Sequence, residues 1–203
     1  MAELGLFPLG LVLLPTERLP LHVFEDRYKE LIGECLEQGT EFGFVYTDDQ
    51  GIREVGTRAR ISDVLTRFED GRMNVLVEGG ERFRLEELTD GRSFATANVS
   101  PLDDEGETAD ESVVEEALRT FGALRDLTDS DVDVPDADRR DLSFALAAKV
   151  ELPPAEKLAL LRELSERRRM DMVVELLDEA LLTAQRVRRA SRRATTNGRV
   201  DLG

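Results

Sequence analysis

Histidine and cysteine are almost absent from this sequence, and their scarcity limits the active sites that it can contain. Among 203 residues there is one histidine, His22, and one cysteine, Cys35. A catalytic triad or a zinc site is hard to build from one residue of each type, so we expect no metal and no cofactor. A lone cysteine forms no disulfide within the chain, which fits a reducing compartment. We expect His22 to make a structural hydrogen bond and Cys35 to be a small buried residue.

Lysine is also scarce, and this bears on catalysis. The chain has three lysines, Lys29, Lys149 and Lys157, and no glycine–lysine pair. The phosphate-binding loop of P-loop ATPases requires that pair, so this type of nucleotide site is excluded. A Ser–Lys protease dyad requires a lysine that burial neutralises, whereas all three lysines fall on predicted helices. We therefore predict that the chain is not an enzyme.

The chain has no long hydrophobic run. The most apolar stretch near its start, residues 4–14, is interrupted by Pro8 and two glycines. It is shorter than the roughly 20 apolar residues that span a bilayer. No lysine or arginine precedes it, as one would in a secretory signal, since the first arginine is Arg18. We therefore predict a cytoplasmic protein that does not enter a membrane.

Basic residues are fewer than acidic residues along most of the chain. The 43 acidic and 27 basic residues give a net charge of −16, which repels nucleic-acid phosphates and anionic lipids. The exception is a cluster of C-terminal arginines: Arg186, Arg188, Arg189, Arg192 and Arg193. This cluster leaves RNA binding open as an alternative function. No aromatic residue lies among the arginines to stack on a base, however, and arginines also stabilise the carbonyl end of a helix.

The first hundred residues have the pattern of short strands around one helix. Leu11–Leu14 and Leu19–Val23 are short apolar runs that flank a turn. Apolar residues then recur every three or four positions and predict a helix over Glu25–Glu37 that ends at Gly39. The predicted apolar stripe consists of Phe24, Tyr28, Leu31, Ile32, Cys35 and Leu36. After the hairpin signal Asp70-Gly71, apolar and polar residues alternate as in half-buried strands, which is typical of a sandwich or a barrel.

From residue 111 onward the periodicity becomes helical. The predicted helices include Val114–Leu124, Leu142–Val150, a third that Pro153-Pro154 opens, and the longest through Val173–Ala184. Thr108 and Glu111 have the spacing of a capping pair at the first of them.

These patterns divide the chain into four parts. Residues 1–102 form a strand-rich domain, 103–110 an acidic linker, 111–190 a helical part, and 191–203 a frayed or disordered tail. The acidic segment 103–110 lacks the alternating oxygen ligands and final glutamate of an EF-hand loop. We therefore expect a solvated linker there and not a calcium site.

Several motifs together resemble the LON substrate-binding domain, the N-terminal domain of the Lon protease family. They are Leu6-Phe7-Pro8-Leu9, the run Pro20–Tyr28 (PLHVFEDRY, with Asp26 where the family usually has proline), Gly80–Phe83, and Ala147–Lys157 (AAKVELPPAEK). The similarity covers roughly residues 4–185 of this sequence. It implies an α+β fold: a PUA-like β-barrel with one inserted helix, followed by a C-terminal α-helical bundle.

The resemblance also implies a function, since this region of the full protease captures unfolded or tagged polypeptides. We expect a non-catalytic polypeptide-binding module whose partners are polypeptide clients or a partner protein, such as a Lon-type protease. A scaffold that binds one dedicated folded partner is the alternative. The candidate peptide-binding residues are Leu14, Pro15, Leu19 and Phe68. Leu14 and Leu19 could instead cap the barrel core, and Phe68 could cover the barrel mouth.

Overall fold

The computed structural model describes residues 2–197, with side chains described for residues 2–190. Strands dominate the first half: β1 (Ala2–Leu9), β2 (Arg18–Val23), β3 (Phe42–Asp48), β4 (Gly51–Arg67), β5 (Met73–Thr89) and β6 (Thr96–Pro101). The helices are α1 (Asp26–Gln38), inserted after β2, and then α2 (Glu111–Thr128), α3 (Leu142–Ala147), α4 (Pro154–Arg162) and α5 (Glu166–Asn197). The predicted α+β class is confirmed. No helix within residues 2–197 is long and apolar enough to span a bilayer.

The six strands form one mixed sheet in the order β2-β5-β4-β3-β1-β6, and β6 also pairs with β5. Only the β1–β3 pair is parallel among these ladders. The pairings of β1, β3, β4, β5 and β6 therefore return to their starting strand and form a closed circuit. The first part of β5 pairs with β2, and the second part pairs with β6.

Gly79 lies where β5 changes from one partner strand to the other. A Cβ added at Gly79 would lie 2.1 Å from the carbonyl oxygen of Leu14. Only glycine lets the backbone of residue 14 approach β5 this closely, because any side chain would overlap with main-chain atoms.

Helix α1 was predicted correctly from its apolar periodicity. Tyr28, Leu31, Ile32 and Cys35 are buried against the sheet. Gly39 ends the helix in the left-handed conformation at φ 65°, and its N–H donates to the carbonyl of Cys35. The helix therefore has the glycine stop that the sequence predicts.

Some local predictions were wrong. Residues 11–14 do not form a strand but a segment between β1 and β2 in which Val12, Leu13 and Leu14 are buried. Thr108 does not cap α2, because Asp110 occupies the N-cap position and no side-chain cap bond forms. The predicted tail from residue 191 overlaps the last turns of α5, and residues 198–203 lie outside the described part of the chain.

The strands and the helices share one of the apolar cores. Two clusters lie within the sheet and against α1. The third joins α2, α3, α4 and α5 and also contains Val12, Leu14 and Val55 from the strand-rich half. Since three buried residues of the first half pack among the helices, the two halves are held together by apolar contact.

A buried ion cluster makes a second connection between the halves. Arg169 of α5 is fully buried and pairs with Asp104 at 2.7 Å and with Glu166. Arg82 of β5 also pairs with Asp104 and donates to the carbonyls of Leu161 (2.8 Å) and Glu163 (2.8 Å). Most of segment 103–110 is exposed, but the partly exposed Asp104 carboxylate also pairs with two buried guanidinium groups, a role that the sequence did not predict.

Candidate interaction surface

The structure separates the four residues that the sequence suggested for peptide binding. Leu14 is 0% exposed and packs among the helices, and Pro15 is buried beside it. Leu19 is half-buried against the sheet core, and Phe68 is 38% exposed. The placement of Leu14 and Pro15 on a binding surface is corrected, because neither is accessible to another chain.

The segment that holds Leu14 is a rigid turn. The Leu14 N–H donates to the Glu17 carboxylate at 2.9 Å, and Lys157 of α4 pairs with that same carboxylate. The Thr16 N–H donates to the Gly79 carbonyl at 2.8 Å, and the Gly79 N–H donates to the Glu17 carbonyl at 2.9 Å. The turn is therefore fixed on one side by β5 and on the other by α4, and its role is structural.

An exposed aromatic cluster lies at the end of the sheet where β2 and β4 terminate. Phe24 is 57% exposed, and its ring stacks on the exposed His22 ring at 5.8 Å between centroids. Phe68 meets His22 edge-on at 6.1 Å, and the Arg72 guanidinium lies 5.1 Å from the centre of the Phe68 ring. We call His22, Phe24, Phe68 and Arg72 the aromatic surface.

The strand geometry explains why these side chains face solvent. Leu21 and Val23 of β2 are buried, so the alternation of a strand turns His22 outward. The Nδ1 atom of His22 lies 2.6 Å from Oδ1 of Asn74, its partner in the β2–β5 register. The expected structural hydrogen bond of His22 is thus present, although the ring is exposed.

A tight turn holds Phe68 beside this strand. The Phe68 N–H donates to the Arg72 carbonyl at 2.9 Å, and the Gly71 N–H donates to the Phe68 carbonyl at 3.1 Å. Gly71 has φ 81°, which confirms the turn predicted at Asp70-Gly71. Hydrogen bonding by the Arg72 N–H lowers the pKa of the Asp70 carboxyl, so this part of the turn stays ionised.

The charges around the aromatic surface are mostly paired. The pairs are Glu25 with Arg27 (2.7 Å), Asp26 with Lys29 (3.1 Å) and Asp70 with Arg72 (2.6 Å). This end of the molecule is therefore close to neutral, in contrast to the net charge of −16 of the whole chain. An apolar segment can approach it without strong attraction or repulsion.

The neighbouring strand edges are poorly suited to bind an added strand. In the described ladders, residues 60–67 of β4 pair with β5 alone, and the register shifts between Ile61 and Asp63 and again between Val64 and Thr66. Such bulges disturb the row of backbone groups that an added strand would need. The outer strand β2 carries Pro20, which has no N–H. This region therefore offers side chains for contact more than backbone.

Sequence reasoning missed Phe24. It was assigned to the apolar stripe of α1, but Glu25 is the N-cap and Phe24 precedes the helix, so its side chain does not follow the helical spacing. Glu25 has an extended backbone conformation, so helical geometry begins only after it. The signal that could have found it is the proximity of Phe24 to a helix start, where the periodicity of the buried stripe does not yet apply.

The other candidate groups considered from the sequence are Cys35, the C-terminal arginines and a possible metal site. Cys35 is buried, and burial raises the pKa of its thiol, so the reactive thiolate is disfavoured. Arg188 donates to the Leu127 carbonyl in the last turn of α2 at 3.4 Å, whereas the side chains of Arg192 and Arg193 lie outside the described ones. Within residues 2–197, no three His, Cys, Asp or Glu side chains form a group that could hold a metal ion.

Known proteins that resemble this chain are Lon proteases and their N-terminal domains. The family model of the ATP-dependent protease La (LON) substrate-binding domain matches residues 3–179. Lon protease 2 of Myxococcus xanthus is 29% identical over 186 residues, which are 82% of this chain and 22% of that protein. Lon protease of Anaeromyxobacter dehalogenans is 27% identical over 195 residues, 87% of this chain and 23% of that protein. The chain thus spans less than a quarter of the length of these relatives.

Two solved structures have a similar fold. A Lon N-terminal domain protein from Xanthomonas campestris superposes with a TM-score of 0.69 at 26% identity, covering 86% of this chain and 98% of that one. The N-terminal domain of Mycobacterium avium complex Lon protease gives a TM-score of 0.67 at 16% identity, covering 87% and 98%, which shows the shared fold. The matched motifs, the mixed sheet with its inserted helix and the extent of the family match lead to one assignment: the chain belongs to the LON substrate-binding domain family.

Proposed function

We propose that this domain binds polypeptide segments without catalysis, and that the aromatic surface is where apolar side chains of a client dock. The observation that carries this proposal is the exposure of Phe24 and Phe68 around His22, on a nearly neutral end of an acidic protein. Membership of a substrate-binding family supports it. We further propose that the closed circuit of strands is the PUA-like barrel of this family, and that the domain acts in the cytoplasm on client chains or beside a Lon-type protease.

The chemistry of the aromatic surface suits this role. Burying a large apolar side chain contributes about 1.5–3 kcal/mol, and both phenylalanines still have area to bury. Aromatic and arginine side chains are the types that dominate binding energy at interfaces. Because Arg72 is already held over the Phe68 ring, it is ordered before a client arrives and loses little freedom on binding.

The test is a titration with a fluorescein-labelled, uncharged 16-residue peptide of Leu, Phe, Ser and Gly, followed by fluorescence anisotropy. Wild-type protein is expected to bind it, and the double variant Phe24→Ser/Phe68→Ser is expected to bind at least tenfold more weakly, which corresponds to about 1.4 kcal/mol. Leu88→Ser is the matched control, because Leu88 is 54% exposed on β5 and lies outside the aromatic surface. Its affinity should be unchanged.

Two results would contradict the proposal. Equal affinity of the double variant and wild type would show that the aromatic surface is not used. Cleavage of an unfolded substrate, or hydrolysis of ATP, by the purified chain would refute the non-catalytic assignment. Leu14→Asp is unsuitable for this test, since it would bury a carboxylate in the shared core and unfold the protein.

A further inference from the structure

A groove lies on the helical half and shares no residue with the aromatic surface. It has a volume of about 520 Å³ and opens to solvent between α2, α5 and the segment 149–153. Its floor is apolar and consists of Phe121, Leu124, Val150, Leu152, Leu176 and Ala180. This volume lies within the range of about 300–1,000 Å³ that is usual for binding clefts.

Two helix faces form the walls of this groove. On α2 the lining residues occur at positions 121, 124, 125 and 128, and on α5 at 176, 179, 180, 183 and 184. Spacings of three and four put each set on one side of its helix. Ala180, Thr183 and Ala184 are small, so they leave space between the helices that larger side chains would fill. Leu124, Val150, Leu152 and Leu176 remain only partly buried as a result.

The rim of the groove carries unpaired negative charge. In the described part of the chain, no ion-pair partner lies within 4 Å of Glu151, Glu156 or Glu179, which all line the groove. Two basic residues also line the groove, Lys149 and Arg125, and Arg125 is already paired with Asp126 at 2.8 Å. The three unpaired carboxylates outnumber these two basic groups, so the rim is acidic, within a protein of net charge −16.

From this apolar floor and acidic rim we infer that the groove docks a cationic amphipathic helix of a partner protein. Along α5 the groove extends over residues 176–184, which is about 12 Å or two helical turns. A third helix lying on α2 and α5 would place apolar side chains on the floor, while its flanking lysines or arginines would reach the three carboxylates. The docking site is separate from the aromatic surface, so the domain would hold one dedicated partner and a client at different places.

The direct test uses a 14-residue helical peptide of Leu, Ala and Lys, labelled with fluorescein and titrated with the full chain by anisotropy. Wild-type protein is expected to bind it, with affinity falling at least tenfold in the variant Glu151→Lys/Glu156→Lys/Glu179→Lys. A peptide with every lysine replaced by glutamate should not bind. The variant Ala180→Phe fills the groove, and it should abolish binding while its circular dichroism spectrum stays that of the wild type.

Two controls separate this inference from the proposed function. The Phe24→Ser/Phe68→Ser variant should bind the cationic peptide as wild type does, and the groove variants should keep their affinity for the uncharged peptide. The inference is refuted if wild type does not bind the cationic helix, if the glutamate peptide binds equally well, or if a proline-containing version of the cationic peptide, which cannot form a helix, binds with the same affinity. Loss of binding in the Phe24/Phe68 variant alone would assign the peptide to the aromatic surface and refute the groove.

Discussion

Removing the buried guanidinium of Arg169 tests whether the ion cluster holds the two halves of the domain together. Arg169 is 0% exposed and donates to Asp104 at 2.7 and 2.9 Å, to the Glu163 carbonyl at 2.7 Å and to the Ser143 hydroxyl at 2.8 Å. Arg169→Met keeps most of the side-chain volume but leaves the Glu166 carboxylate, which is also buried, without its cation. Breaking a buried pair in this way costs about 3–5 kcal/mol.

Urea unfolding followed by circular dichroism at 222 nm measures this loss. With a denaturant slope of about 2 kcal/mol per molar urea, the midpoint should fall by roughly 1.5–2.5 M. Arg168→Met is the matched control, because Arg168 is the exposed neighbour on the same helix; its pairs with Glu163 and Glu105 lie at the surface, so its midpoint should fall by at most about 0.5 M. Adding Glu166→Gln to Arg169→Met should recover part of the loss, since it removes the uncompensated charge. A loss below about 1 kcal/mol for Arg169→Met would refute the reasoning and show that the cluster contributes no more than a surface pair.

Three further predictions follow from the structure. Gly79→Ala should destabilise the fold by about 1–3 kcal/mol in the same urea assay, because its Cβ would overlap the Leu14 carbonyl, whereas Gly33→Ala in an open position of α1 should be stabilising. Cys35 should react slowly with iodoacetamide at pH 8 in the native protein and fully in 8 M urea, because burial raises the pKa of its thiol; rapid native labelling would contradict this. The pKa of the Glu78 carboxyl is lowered overall, because the opposing effect of burial, which raises it, is outweighed by the two arginine partners Arg60 and Arg18. Both pairs lie at the surface, so Glu78→Gln should cost less than about 1 kcal/mol at pH 7. Since the folded pKa is below the ordinary value of 4.5, that difference should vanish as the pH falls from 4.5 through the lowered pKa.

Local signals in the sequence predicted much of the fold. The helix over residues 26–38 with its stop at Gly39, the turn at Gly71 and the proline start of α4 all depend on neighbouring residues, and the structure confirms each of them. The order of elements, strands first and helices after them, was also predicted, because the spacing of apolar residues changes from two to about 3.6 along the chain.

Long-range partners could not be predicted in the same way. Arg169 and Asp104 are 65 positions apart, and no local pattern distinguishes this arginine from its exposed neighbour Arg168. Leu14 lies in an apolar run that looks like a strand, but it belongs to the segment between β1 and β2 and packs in the helical core. The candidate site was affected for the same reason: only Phe68 was identified, because its contact with His22, the ring on which Phe24 also stacks, joins residues 46 positions apart.

The position of Asp104 has a practical consequence for anyone who grafts or shortens this domain. A cut after residue 102 would remove the Asp104 carboxylate and the two carbonyl groups to which Arg82 donates. It would also expose the apolar face around Val12 and Val55. The smallest transferable piece therefore includes the strands together with the helices as far as α5. A fragment that ends where the strands give way to helices would cut through the core that the two halves share.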